Sequence, residues 1–162
     1  MSAESYDTAR QIIEAAPSGE FELLPYTGEK WDLDYLREWV LDHVTSIYGV
    51  DASLFDTATL VSTSVLRDFV HRALYQTTVI NDIYVLETLP DFQGWDDVAV
   101  GFRYPSYGLC GLMAAQQLAV YRAMGFETNL LNPINENPDN QTNNHVITQV
   151  YLQDLGKFVL QD

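Results

Sequence analysis

One stretch limits what this chain can fold into. From Gly111 to Met124 the sequence is rich in Ala, Leu, Met and Gln, holds no proline, and has one glycine, at its start. Those residues predict a helix, and Gly125 stops it at the left-handed position that often follows a helix end. Only Gln116, Gln117 and Arg122 interrupt the apolar character, and they do not share a face. A helix apolar nearly all round is buried, so the remaining chain has to wrap it. The only cysteine, Cys110, stands at the N-terminal end of this helix. Unpaired N–H groups and the helix dipole stabilise an anion there, and the same field lowers a thiol's pKa. The plainer alternative is a small apolar core residue, the commonest role of an isolated cysteine.

The 162 residues predict a single domain, 1–162. One cysteine cannot form an internal disulfide, so nothing calls for an oxidising compartment. The segment Met1–Asp7 has neither a basic start nor an apolar core, unlike a secretory signal, and no run of about 18 apolar residues is present to span a membrane. A cytoplasmic location is the expectation. The 23 acidic and 8 basic residues give a formal net charge of −15. That disfavours nucleic acid and anionic membrane as partners. It suits a solvated acidic surface, or one that meets a basic partner.

Helical spacing dominates residues 1–78. Tyr6, Ala9, Ile12, Ile13 and Ala16 form a first stripe that ends at Pro17. Residues 18–31 read as loop. Asp32 or Asp34 can cap a second helix, with Leu33, Leu36, Val40, Val44 and Ile47 as its stripe and Gly49 as its stop. His43 on that stripe is expected to be a core residue bonded to backbone. A third helix is expected over 59–76 on Leu66, Phe69, Val70, Ala73 and Leu74, with His71 facing solvent. The histidines at 43, 71 and 145 show no metal-binding spacing, so no metal site is expected.

From residue 79 the pattern changes. Val79-Ile80 and Ile83–Leu86 suit short extended pieces. Glycines and prolines then alternate with Phe92, Trp95, Phe102, Tyr104 and Tyr107, either lining a cleft before the cysteine helix or packing as a loop over the core. Phe126–Leu131 reads as a strand. Residues 132–144, rich in asparagine, are expected to form a mobile loop that enters His145. His145–Leu152 and Lys157–Asp162 read as strands joined by a turn at Gln153–Gly156.

Thiol chemistry needs a base beside the nucleophile and a group to orient that base. Cys110, His145 and Asp162 supply the three types in chain order. With Leu152 opposite Lys157, Asp162 falls opposite Ile147 and diagonal to His145 on one sheet face, within roughly 8 Å. A one-residue bulge at Gly156 would put it on the other face.

Four pieces of the last third, Gly108-Leu109-Cys110, Met124-Gly125-Phe126, His145–Tyr151 and Phe158–Asp162, together resemble the transglutaminase-like superfamily of papain-related thiol enzymes, over about residues 104–162. The chain departs from the family pattern at Phe126-Glu127-Thr128-Asn129, where many members carry Ala-Arg, and at Ile147, where many carry tryptophan. The resemblance implies an α+β fold: a helical N-terminal part, 1–78, then a core, 79–162, whose central helix starts at the cysteine and packs on an antiparallel sheet. It implies Cys110 as nucleophile, His145 as base and acid, and Asp162 as orienter. It further implies a cysteine-dependent amide hydrolase or acyl transferase, protease-, deamidase- or transglutaminase-like. Such an enzyme acts on a peptide or protein through a thioester and needs no cofactor. The Cys110 backbone N–H is one candidate oxyanion donor; Trp95, Tyr104 and Tyr107 are candidates for the second donor or the cleft wall. The alternative is an inactive copy of this fold serving as an interaction or structural module.

Overall fold

The computed structural model describes residues 3–74, 92–94, 96–104, 110–131 and 146–161. These form helices α1 (Ala3–Ala15), α2 (Leu33–Tyr48), α3 (Leu60–Ala73), α4 (Val100–Arg103) and α5 (Cys110–Ala123), with a 3-10 turn at Ala52–Phe55. Strands β1 (Thr128–Leu131), β2 (Ile147–Leu152) and β3 (Lys157–Gln161) follow. The strands make one antiparallel sheet in the order β1-β2-β3. The architecture is α+β, with the helices leading.

Local chemistry accounts for the boundaries of the helices. Asp32 caps α2 by accepting from Tyr35 N–H, and Gly49 ends it at φ 64°, donating to Thr45 O. Thr59 and Ser62 cap α3 reciprocally, each side chain accepting from the other's backbone N–H. This is the box arrangement that satisfies two otherwise orphaned donors. Gly125, at φ 79°, follows the end of α5, where only a residue free of Cβ strain sits comfortably.

Helix α5 packs against α2, α3, α4, β1 and β2, as its all-round apolar surface demands. Tyr121 and Val120 on α5 are fully buried, together with Phe69 on α3, Phe102 on α4, Val40 on α2 and Val150 on β2. Its two glutamines are buried as well, each 1% exposed. Gln117 Nε2 donates to the Tyr121 hydroxyl at 2.9 Å, and that hydroxyl donates to Thr63 O of α3 at 3.1 Å. The polar atoms of α5 are thus spent on its neighbours. The sheet is tied to the helical part at its turn: Gln153 N–H donates to Ala58 O at 2.8 Å, and the Asp154 carboxylate accepts from Leu60 N–H at the start of α3.

The expected third helix is described as far as Ala73; residues 75 and 76 lie outside the described part. So do the extended pieces expected at 79–86 and the loop expected at 132–144. His71 is half-buried rather than solvent-facing. Tyr6 is 59% exposed and does not join the α1 stripe. His43 is bonded to backbone as expected, with Nδ1 2.7 Å from Trp39 O and its ring 4.1 Å from that indole, but it is half-buried rather than a core residue. Helix α4 was not expected, because it arises in a stretch punctuated by Gly and Pro. In the turn that precedes it the Asp97 carboxylate accepts from Ala99 N–H at 3.1 Å.

Replacing Tyr121 by Phe removes the hydroxyl that links Gln117 to Thr63 and leaves a buried amide without its acceptor. Tyr121→Phe is expected to lower the unfolding free energy by about 1–3 kcal/mol, measured by urea denaturation. A change below about 0.5 kcal/mol, the range of ordinary surface substitutions, would show that the link is dispensable.

Candidate functional site

The candidate site lies at the first turn of α5. Cys110 is the first residue of the helix, where backbone N–H groups have no partner within the helix. Two elements grip the first half of α5. On β2, the fully buried Thr148 donates from Oγ1 to Ala114 O at 3.0 Å, one turn from Cys110. From the other side, Gln116 holds the 96–104 segment with both ends of its amide. Its Oε1 accepts from Gly101 N–H at 2.9 Å and its Nε2 donates to Val98 O at 2.8 Å. Gly101 sits at a close approach: a Cβ there would stand 3.0 Å from Leu74 Cδ2 and 3.1 Å from Gln116 Oε1, so those side chains would have to give by a few tenths of an ångström.

That segment is held in turn by a buried ion pair between Arg103 and Asp97, whose side chains are 8% and 1% exposed. Arg103 also donates to Gly28 O, to Tyr26 O at 3.4 Å and to Gln93 Oε1 at 3.4 Å. Its guanidinium lies 5.0 Å from the centre of the Tyr26 ring. Tyr26 N–H donates to Phe102 O at 3.2 Å and completes the clasp. Burial, then the neighbouring Asp32 carboxylate, pushes the Tyr26 phenol up from 10.0 to about 12. Burial likewise pushes up the hydroxyls of Tyr48 and Tyr121.

The expected site residues are unequally served. Cys110 is the first described residue of α5, and residues 105–109 before it lie outside the described residues. Tyr104 is buried in a small apolar cluster with Val100, Phe92 and Leu112, its ring 6.1 Å from Phe92. The Cys110 side chain, His145, Asp162, Trp95 and Tyr107 lie outside the described residues. Strand β2 begins at Ile147, two residues after His145, and β3 is described to Gln161, paired with Thr148. The register is the expected one, Leu152 opposite Lys157, and it runs to Gln161 without a bulge.

Sequence reasoning missed Asp97, Arg103 and Thr148, and it left Gln116 without a role. The signal for Gln116 was present: a polar residue on a helix that has to be buried needs partners. Asp97 and Arg103 gave none beyond opposite charge. Among the described residues no group of three or more His, Cys, Asp or Glu side chains could hold a metal ion. None of the helices there is long and apolar enough to cross a membrane. No family model, curated protein or solved structure matches the chain.

Two outcomes follow from the clasp. Arg103→Ala or Asp97→Ala strands a charge in a nearly dry site and is expected to cost about 3–5 kcal/mol, read by chemical denaturation of each variant beside the parent. The second outcome is alkaline sensitivity. A phenol raised in the folded state stabilises the protein fully below its unfolded value of 10.0 and loses that contribution as pH rises through about 12. Stability should therefore hold from neutral pH to about 10 and then fall. Tyrosinate absorbance should rise in part only as the protein unfolds. A Tyr26→Phe variant that declines identically would assign the effect to Tyr48 and Tyr121.

Proposed function

We propose that this protein is a cysteine-dependent amide hydrolase or acyl transferase acting on a peptide or protein, built on a transglutaminase-like core. The observation that carries the reading is the junction of α5 with β2. The helix that begins at Cys110 is bonded, one turn in, to the strand that begins just after His145, through Thr148 Oγ1 and Ala114 O. The register of β3 on β2 supports the role assigned to Asp162. It is unbroken to Gln161 and keeps the parity that would set the next residue on the His145 face.

In this reading the Cys110 thiolate, favoured by the helix terminus, attacks the amide carbonyl. The Cys110 backbone N–H donates to the oxyanion. His145 takes the thiol proton and returns it to the leaving amine, which departs as the thioester forms. Asp162 holds the imidazole in the required tautomer. Water or a second amine then resolves the thioester to an acid or a new amide, with His145 as base. Buried contacts of Gln116 with Gly101 and Val98 tie the 96–104 segment to the first half of α5, which supports a fixed setting for the reacting group in this reading.

Thiol alkylation tests this without a known substrate. The rate of iodoacetamide modification against pH should titrate well below roughly 8.5, the value of a free cysteine. His145→Ala should move that titration upward, since the imidazolium no longer stabilises the thiolate. Cys110→Ala should remove the alkylation and leave the thermal unfolding temperature nearly unchanged. An inert thiol, or one that titrates at the ordinary value in both proteins, would defeat the enzymatic reading and favour an inactive interaction module.

A further inference from the structure

A second concavity lies on the helical part, between the irregular segment 17–24 and the C-terminal half of α2, with a volume of about 540 Å³. Phe21, Leu23, Leu24 and Ile47 supply its apolar wall. Leu24 is 81% exposed at its edge, the largest exposure among the large apolar side chains described. Glu20, Glu22 and Asp42 stand around it, and no Lys or Arg lines it.

The segment is anchored, so the groove is preformed. Arg72 Nε donates to Gly19 O at 2.7 Å, and Phe21 N–H donates to Arg72 O at 2.9 Å. The Arg72 guanidinium lies 4.0 Å from the centre of the Phe21 ring and pairs with Asp68 at 3.2 Å. The Arg72 side chain is thus turned to the Phe21 ring, Gly19 and Asp68. The ion pairs among the described residues engage Arg10, Lys30, Arg37, Arg72 and Arg103, and none reaches Glu20, Glu22 or Asp42. Three exposed carboxylates without a cation surround an apolar hollow.

We infer that this groove docks a short basic peptide segment in which apolar side chains alternate with Lys or Arg. The apolar residues would enter against Phe21, Leu24 and Ile47, and the cations would meet Glu20, Glu22 and Asp42. The volume lies in the roughly 300–1,000 Å³ range of pockets that bury a small ligand, room for a few apolar side chains. The hollow thus suits a linear segment rather than a folded domain. Opposite charge at the rim sets encounter rate and orientation, while the apolar contacts hold the segment in place. The inference is independent of any role for Cys110.

Fluorescence anisotropy with the full chain tests it, using a fluorescein-labelled, acetylated peptide of alternating Leu and Lys. Two control peptides carry Ser in place of Leu, or Glu in place of Lys. The Leu/Lys peptide should bind, and the Ser/Lys peptide should bind at least about tenfold more weakly. The combined variant Glu20→Gln, Glu22→Gln, Asp42→Asn should weaken binding about tenfold. The variant Glu4→Gln, Asp7→Asn, Glu127→Gln removes as many exposed charges elsewhere and should change it less than about twofold. Leu24→Ser, at an exposed position that costs the fold little, should also weaken it. Equal losses from the two charge variants would reduce the effect to the general field of an acidic protein and overturn the site. So would equal binding of the Ser/Lys peptide, or no binding of the Leu/Lys peptide.

Discussion

Helix α5 can leave water only if its two glutamines carry their hydrogen bonds with them. A buried amide without partners costs a few kcal/mol, a large share of a typical domain's stability. Gln117 meets this demand through Tyr121 and α3, and Gln116 through the backbone of Val98 and Gly101. The consequence is architectural. The same side chains that make burial tolerable fix α3 on one side and the 96–104 segment on another. Thr148 adds the strand β2 by the same means.

The clasp around Arg103 extends this logic outward. Its guanidinium gathers Asp97, Gly28, Tyr26 and Gln93, drawn from chain positions up to 77 apart. A buried pair of this kind adds little net stability over an apolar substitute, yet removal of one partner is severe. Its value lies in specifying one arrangement of the segment that leads toward Cys110. Glycine at 101 leaves room for the Gln116 amide and the Leu74 side chain close to the backbone. The groove beside α2 is different in kind, with carboxylates left at its rim and an exposed leucine at its edge.

Much of the local structure was legible in the sequence. The stripes of α2 and α3, the Asp32 cap, the Gly49 and Gly125 stops and the antiparallel pairing of Leu152 with Lys157 follow from periodicity, capping chemistry and strand parity. Each depends on residues a few positions apart. The short helix α4 was not, because it lies in a stretch punctuated by glycine and proline and is held by bonds to the distant Gln116 and Tyr26.

The sequence by itself determined that α5 had to be central and that helices lead and strands follow. Apolar pattern and backbone preference act locally, and they survive whatever the rest of the chain does. Only the tertiary structure decided which acid among 23 meets Arg103, what Gln116 holds, and which carboxylates are left unpaired around the groove at α2. Those outcomes turn on contacts between distant residues. A charge or an amide carries no mark of its partner until packing brings one within hydrogen-bond reach.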